Sequence, residues 1–268
     1  MDKVKKIIRQ VRRFTSKAGR DGVRAYAAET SFFVILSFIP FLMLLLSLVQ
    51  FTPLTQEHVL EVIETATPFE ISEVIRDLVG SLFHHSYALL SWTAAVLVWT
   101  SSKAIIGMGD GLNSVNGLEE TRNYFVVRIR AVFYTVILLF AMVIAIGVLV
   151  FGYRLQDYLR RTVPLIGRFP RLTLVIQMTL SLTILTLLFE AFYVFLPSRR
   201  KRPLGQLPGA VFTSVSWAVF SYAFSIYLKY VGNMTAIYGG LTTLIVVMLW
   251  LYTCMYLFFL GAELNQYV

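Results

Sequence analysis

The sequence predicts an all-α polytopic membrane protein with six transmembrane helices, an N-terminal interfacial amphipathic helix and a short helical region in the first outer loop. Hydrophobic residues make up 57% of the 268-residue chain, and the mean hydropathy is +0.70. Ordinary soluble domains are about 45–50% apolar. A single soluble core could not bury so much apolar surface, whereas lipid can solvate it. We therefore expect one membrane domain over residues 1–268.

The charge and the cysteine content indicate which partners and which kinds of site this protein is expected to lack. The net charge of +9 could indicate a nucleic-acid partner, but the cations lie beside apolar segments, so we expect none. The single cysteine, Cys254, lies inside an apolar run, which excludes a disulfide framework and a cysteine-based metal site. The chain has no Gly-x-x-x-x-Gly-Lys-Ser/Thr loop, so a nucleotide-driven pump is disfavoured. We expect no cofactor and no metal.

Residues 1–28 are predicted to contain a basic amphipathic helix on the cytoplasmic face. Apolar residues recur at helical spacing from Val4 to Phe14. Such a helix lies in the membrane interface. Its cations are placed to contact anionic lipid headgroups: Lys5, Lys6, Arg9, Arg12 and Arg13. A signal peptide is the alternative. It is disfavoured because the apolar stretch starts only near Ser31, runs about 20 residues and lacks a small-residue cleavage site.

Six apolar segments follow and are the predicted spans: residues 31–51, 87–106, 132–151, 172–196, 207–230 and 238–262. Most reach the roughly 20 residues that a bilayer core requires, although Lys103 interrupts the second. With the N-terminus inside, the inner segments hold 17 Lys and Arg residues and the outer segments hold seven. This positive-inside bias predicts that both termini lie in the cytoplasm.

The first outer segment, residues 53–85, is predicted to form two short amphipathic helices separated at Pro68. Thr67 and Glu70 make a capping box, with Pro68 at the first helical position. His84 and His85 close the segment. Adjacent histidines cannot chelate a metal from one helix face, so a structural role is favoured over a metal site.

The second outer loop, residues 152–171, departs from the charge bias because it carries several arginines: Arg154, Arg160, Arg161, Arg168 and Arg171. One interpretation is that they snorkel from the ends of helices to the headgroups. The other is a site for an anionic headgroup or wall polymer, for which the arginine fork is suited.

Three polar residues in or near the spans are candidates for substrate binding. Glu190 is the one ionisable residue well inside a predicted span, about 10 Å from its cytoplasmic end at ~1.5 Å per residue. A carboxylate at that depth requires a cavity, a partner or a proton. Lys103 and Ser214 enter from the same side and are its candidate partners. A hydrogen bond to Ser, Thr or Tyr across the bundle is the structural alternative.

Other residues suggest bending or close packing. Pro40 lies near the middle of the first span and predicts a kink. Gly239 and Gly240 open the last span and are candidate gate residues, although close packing explains them equally well. A seam of small residues on the fifth span predicts close helix approach: Ala210, Ser214, Ala218, Ser221 and Ser225. The pair Gly107 and Gly111 predicts the same for the second span.

Several short motifs together resemble the YihY/BrkB family of bacterial inner-membrane proteins. They are 26–32 (YAAETSF), 100–103 (TSSK) with 111–113 (GLN), Pro197 with Arg199 and Arg200, 207–210 (LPGA), 235–241 (TAIYGGL), 250–252 (WLY) and 261–265 (GAELN). The resemblance covers nearly the whole chain. It implies about six spans in the bacterial cytoplasmic membrane and brings no catalytic residues.

The same resemblance implies a role in lipid transport for envelope building. The family's earlier label, ribonuclease BN, has been abandoned. We therefore expect a lipid transporter or flippase, or the membrane component of a machine that includes a lipid-transfer protein, with membrane lipids as partners. The alternative is a non-transporting scaffold or assembly factor. A nuclease is disfavoured because metal-assisted hydrolysis needs clustered acids or histidines.

Overall fold

A computed structural model describes residues 2–49, 87–141, 170–231 and 240–267. The predictions for 53–85, Arg154, Arg160, Arg161, Arg168 and Gly239 lie outside these ranges. Seven α-helices are described, and no strand occurs among these residues. The helices are α1 (Asp2–Arg20), α2 (Val23–Val49), α3 (Tyr87–Val115), α4 (Tyr124–Ala141), α5 (Pro170–Phe195), α6 (Leu207–Val231) and α7 (Gly240–Leu264).

Glycines with positive φ end two of the helices. Gly22 has a φ of 70° and separates α1 from α2, and Gly117 has a φ of 62° two residues after α3. This left-handed conformation strains residues that carry a Cβ. The chain therefore turns sharply at both points, which brings α1 against the bundle and starts α4 beside α3.

The six long helices alternate in direction, and their described contacts gather at one end of the bundle. We call this the basal end; it holds the starts of α2, α4 and α6 and the ends of α3, α5 and α7. Hydrogen bonds link these termini directly. The Asn113 side chain accepts from the Ser198 backbone at 2.7 Å, and the Asn265 side chain accepts from the Gly209 backbone at 2.6 Å.

The buried core lies at the basal end and joins all seven helices. Its largest fully buried apolar side chains include Tyr193, Phe258, Phe259 and Leu112. The rings of Tyr193 and Phe258 are 4.9 Å apart between centroids. Aromatic side chains bury large areas, so this cluster stabilises the junction of α5 and α7.

Glycines allow the helices of this core to approach closely. A Cβ added at Gly111 of α3 would collide with the ring of Phe259 and would lie 2.9 Å from the Cβ of Tyr26, while one at Gly107 would lie 3.2 Å from Thr30 Oγ1. The predicted close approach at this glycine pair is confirmed. The small-residue seam of α6 is buried only at Ala210 and Ser214.

Five of the described helices are long and apolar enough to cross a membrane. The qualifying stretches are Val23–Phe41, Tyr124–Ala141, Met178–Phe195, Leu207–Leu228 and Leu244–Leu264. They belong to α2, α4, α5, α6 and α7. Helix α3 is not among these stretches, for which only the described residues count. Membrane integration is thus supported by five candidate spans among the described residues, and the full set of six spans stays a prediction.

Helix bounds differ from the predicted spans chiefly at the basal end. Helix α2 begins at Val23, not near residue 31, and α3 continues to Val115. Helix α4 begins at Tyr124, eight residues before the predicted third span. Hydropathy locates the apolar part of a helix, whereas helices continue as far as backbone hydrogen bonds and capping allow. These polar extensions hold most of the side-chain contacts described below.

Candidate functional site at the basal end

The ammonium group of Lys17 on α1 connects three helices. Its Nζ donates to Glu263 Oε2 on α7 at 2.6 Å, to Asp21 Oδ2 at 2.6 Å and to the Val115 carbonyl oxygen at the end of α3 at 3.1 Å. A lysine ammonium has three donor hydrogens, so all are used. Burial alone would lower the pKa of Lys17, but the hydrogen bonds to Asp21 and Glu263 outweigh it and raise the pKa.

Glu263 requires this cation because of its position on α7. Its side chain is fully buried, and it lies in the last helical turn. The negative end of the helix dipole disfavours a carboxylate there. Its Oε1 atom is buried without a hydrogen-bond partner among the described residues. Lys17 therefore supplies the compensating charge and, in doing so, fastens α1 to the bundle.

A small charged cavity lies between α3, α4 and the end of α5. Its volume is about 30 Å³, enough for one water molecule. The charged and polar lining consists of Asp110, Glu120, Arg122, Arg130 and Tyr134. The Arg122 Nε donates to Glu120 Oε1 at 2.7 Å, and the Arg130 Nη2 donates to the Phe195 carbonyl oxygen at 3.2 Å. The cavity thus combines two carboxylates with two guanidinium groups.

Asp110 is the unpaired acid of this cavity. It forms no hydrogen bond or ion pair with the described residues, and it lies beyond the predicted second span. Burial raises the pKa of Asp110 to about 6, and the negative charges of Glu29 and Glu120 act in the same direction. A carboxyl group with this pKa changes its charge close to physiological pH. Arg122 opposes the shift but does not cancel it.

Buried hydrogen bonds fix the junction of α5, α6 and α7. The Tyr193 hydroxyl donates to the Phe258 carbonyl oxygen at 2.6 Å and lies 2.7 Å from Thr213 Oγ1. A Cβ at Gly261 would collide with Thr213 Oγ1 and approach the Tyr193 hydroxyl at 2.7 Å. Buried polar groups paired in this way specify one arrangement of the three helices.

The structure places Ser214 beside the helix that carries Glu190, and Lys103 apart from both. Glu190 is half-buried near the end of α5 and has no polar partner among the described residues. Ser214 Oγ accepts from Thr186 Oγ1 at 3.0 Å, one helical turn before Glu190. Lys103 is exposed, and its Nζ lies 5.1 Å from the Phe33 ring centroid. Ser214 is therefore near the helix face of Glu190, whereas Lys103 belongs to the contact of α2 with α3.

The other predicted site residues are described by their position and exposure alone. Pro40 lies inside α2, which continues to Val49, and Gly240 is the first residue of α7. Four predicted membrane-surface cations are exposed on α1: Lys6, Arg9, Arg12 and Arg13. The side chains of Lys5 and Arg171 lie outside the described part of the structure.

Sequence reasoning missed the basal polar contacts, above all the pair of Lys17 and Glu263. A usable signal existed, since a carboxylate in the last turn of an apolar helix opposes the helix dipole and requires a cation. Over the described ranges, no group of three or more His, Cys, Asp or Glu residues could hold a metal ion.

Comparison with known proteins agrees with this membrane architecture. Over 240 residues the chain is 30% identical to the ribonuclease-like protein YfkH of Bacillus subtilis (strain 168), covering 89% of this chain and 87% of that protein. It is 24% identical to the UPF0761 membrane protein Bpet3042 of Bordetella petrii, covering 88% of this chain. A UPF0761 membrane protein of Pseudoalteromonas atlantica is 21% identical over 96% of this chain and 85% of its own.

The aligned region covers 52% of the Bordetella protein, so this chain spans about half the length of that relative. No solved structure matches the chain. The family model described as virulence factor BrkB matches residues 14–268, a range that contains Lys17 and Glu263. This protein therefore belongs to the BrkB/YihY family of membrane proteins.

Proposed function

We propose that this protein acts in cell-envelope biogenesis by moving a lipid, or by serving as the membrane component of a lipid-transport machine with a lipid-transfer protein as partner. The observation that carries the proposal is the position of α4 between an exposed apolar surface and the charged cavity. One face of α4 is an exposed apolar stripe: Phe125, Ile129, Phe133, Val136 and Phe140. The opposite face lines the cavity through Val127, Arg130, Ala131 and Tyr134.

An amphiphile requires both surfaces, since its chains must stay in lipid while its headgroup meets polar groups. The cavity holds only about one water molecule at 30 Å³, so a headgroup enters when α4 moves away from α3 and α5. Few described hydrogen bonds oppose that movement. Arg128 Nη2 donates to the Trp99 carbonyl oxygen at 3.3 Å, and Arg130 Nη2 donates to that of Phe195 at 3.2 Å.

The proposed topology is six crossings of the bacterial cytoplasmic membrane with both termini in the cytoplasm. The alternating direction of α2 to α7 supports an even number of crossings, and the positive-inside bias places the basal end in the cytoplasm. In this arrangement α1 lies at the inner surface. A cysteine introduced at Arg200 in a Cys254→Ser background should resist a membrane-impermeant thiol reagent added to intact cells. Rapid labelling would reverse the proposed orientation.

The roles assigned to individual residues follow from this topology. Glu190 and Ser214 face the substrate path, Lys103 contacts its headgroup at the inner surface, and Pro40 with Gly239 and Gly240 provides the bending that opens the path. The second-loop arginines contact anionic headgroups at the outer surface: Arg154, Arg160, Arg161, Arg168 and Arg171.

Lipid movement can be measured with purified protein in vesicles that contain a fluorescent phospholipid. A membrane-impermeant reductant bleaches only outer-leaflet probe, so movement converts a half-bleached signal into a fully bleached one. We expect faster conversion than in protein-free vesicles, slowed by Asp110→Asn and Arg122→Gln and unchanged by the loop control Arg199→Gln. If the wild type matches protein-free vesicles, or if all three variants behave alike, the transport proposal fails.

A non-transporting scaffold is the second candidate, favoured by the close packing of α6 against α7. A Cβ at Gly261 would lie 2.7 Å from the Gly209 carbonyl oxygen, and such a contact leaves no space for relative movement. Crosslinking α4 to α3 discriminates the two functions. A transporter should lose its activity when α4 cannot move, whereas a scaffold should keep its function. The ribonuclease-like description applies to the Bacillus protein, and we do not extend it to this chain.

A further inference from the structure

A basic groove lies between α1 and the end of α7. Its volume is about 490 Å³, and its lining includes Arg9, Arg12, Arg13 and Arg20 with Tyr267. The four arginines fall on one face of α1, spread over about 16 Å at ~1.5 Å per residue.

The positive charge of this groove is not neutralised by the described residues. Lys17, which also lines the groove, is paired with Asp21 and Glu263. None of the four arginines forms a salt bridge within the described part of the chain. Neighbouring guanidinium groups such as those of Arg9, Arg12 and Arg13 repel one another, and an anion bound between them relieves that repulsion.

The groove has a fixed wall because both of its elements are anchored. Lys17 holds α1 to α7 and α3, and the ring of Phe14 lies 5.8 Å from that of Tyr267 between centroids. The Gln266 Nε2 donates to Asn116 Oδ1 at 2.7 Å, which fastens the end of α7 to the segment after α3. Anchored elements reduce the ordering that a ligand must otherwise supply on binding.

We propose that this groove binds a phosphate-bearing anion, larger than inorganic phosphate, through the arginines of α1. The planar guanidinium group presents paired donors that match phosphate oxygens, which a point charge does not. The four arginine positions lie opposite the apolar positions Val4, Ile7 and Val11 on the helix. The arginines therefore stay accessible to a ligand when the apolar face of α1 lies against the acyl chains. It does not depend on the lipid-transport proposal.

The ligand is either a soluble phosphate compound or the headgroup of an anionic lipid, and two probes separate these sources. Purified full-length protein in neutral-lipid nanodiscs is titrated with inorganic pyrophosphate and with glycerol 3-phosphate. In the second arm, nanodiscs containing phosphatidylglycerol are compared with neutral nanodiscs. Binding is read from the rise in unfolding temperature that a ligand of the native state produces.

The diagnostic variant is Arg12→Gln/Arg13→Gln, and the matched control is Arg199→Gln/Arg200→Gln, which removes the same charge from another basal loop. Both pairs are exposed, so neither should unfold the protein. We expect affinity to fall at least about tenfold in the α1 variant, as for the loss of charged hydrogen bonds in a partly exposed site. The control should stay within about twofold of the wild type.

Binding of pyrophosphate or glycerol 3-phosphate with this variant pattern supports a soluble ligand. An effect confined to phosphatidylglycerol nanodiscs, with the same pattern, supports a lipid headgroup. If no probe binds, or if both double variants lose affinity equally, the groove is no specific site and the inference is overturned. Because the measurement reports ligand binding and not lipid movement, it succeeds or fails independently of the transport proposal.

Discussion

Lys17→Met should destabilise the protein through the buried carboxylate that it leaves behind. Glu263 is 0% exposed, and the Lys17 side chain is 28% exposed. Breaking a buried ion pair by removing one partner costs about 3–5 kcal/mol, because the remaining charge is uncompensated. Lys17 keeps some contact with solvent, so we expect the lower end, about 3 kcal/mol. For a chain of this size that corresponds to roughly 6–12 °C in unfolding temperature.

The single cysteine provides the assay. Cys254 is fully buried on α7, so a thiol-reactive fluorophore reports the temperature at which α7 loses its packing in detergent. Lys6→Met is the matched control, since Lys6 is an exposed cation on the same helix and should leave that temperature unchanged. The double variant Lys17→Met/Glu263→Met should recover most of the loss, because an apolar pair can replace a buried ion pair without penalty.

Two results would refute this reasoning. One is a Lys17→Met protein whose cysteine becomes reactive at the wild-type temperature, which would mean that Glu263 finds another partner or a proton. The other is a double variant that recovers none of the stability lost in Lys17→Met. In that case the hydrogen bonds of Lys17 to Asp21 and Val115, not the charge of Glu263, would determine the stability of this contact.

Three further predictions use the same assay or the lipid-movement assay. Gly261→Ala should lower the free energy of unfolding by about 1–3 kcal/mol, because the added Cβ overpacks the helix contact. Gly205→Ala should leave it unchanged, because nothing lies within 4 Å of the added Cβ. Equal stability of the two variants would contradict the close approach of the helices at Gly261. The pKa of Asp110 is raised from 3.8 to about 6 in the folded protein, so the native state binds the proton more tightly and stability should fall as pH rises from about 4 to 6. Asp110→Asn should flatten that slope, while Glu119→Gln in the exposed loop should preserve it. Glu190→Gln should fold normally and abolish lipid movement, and normal transport by this variant would leave Glu190 a structural role.

Membrane integration and helical class were predictable from the sequence because they depend on composition and periodicity. An apolar run of about 20 residues requires lipid and a helix wherever it packs. The spacing of Gly107 and Gly111 likewise predicted close packing, since a missing Cβ matters for any neighbouring helix. The number of spans stays a prediction, because five candidate spans are found among the described residues.

The candidate sites depended on tertiary structure, since residues far apart in the sequence meet only after the helices align. Lys17 and Glu263 lie at opposite ends of the chain, and their pairing follows from the turn at Gly22 that directs α1 towards α7. Lys103 was expected near Glu190 because both enter from the same side of the membrane, but it contacts Phe33 instead. The sequence determines how deep a residue lies along its own helix, whereas which helix it faces depends on the rotation and order of the helices in the bundle. These are set by packing contacts such as Gly209 with Gly261, which no local pattern specifies.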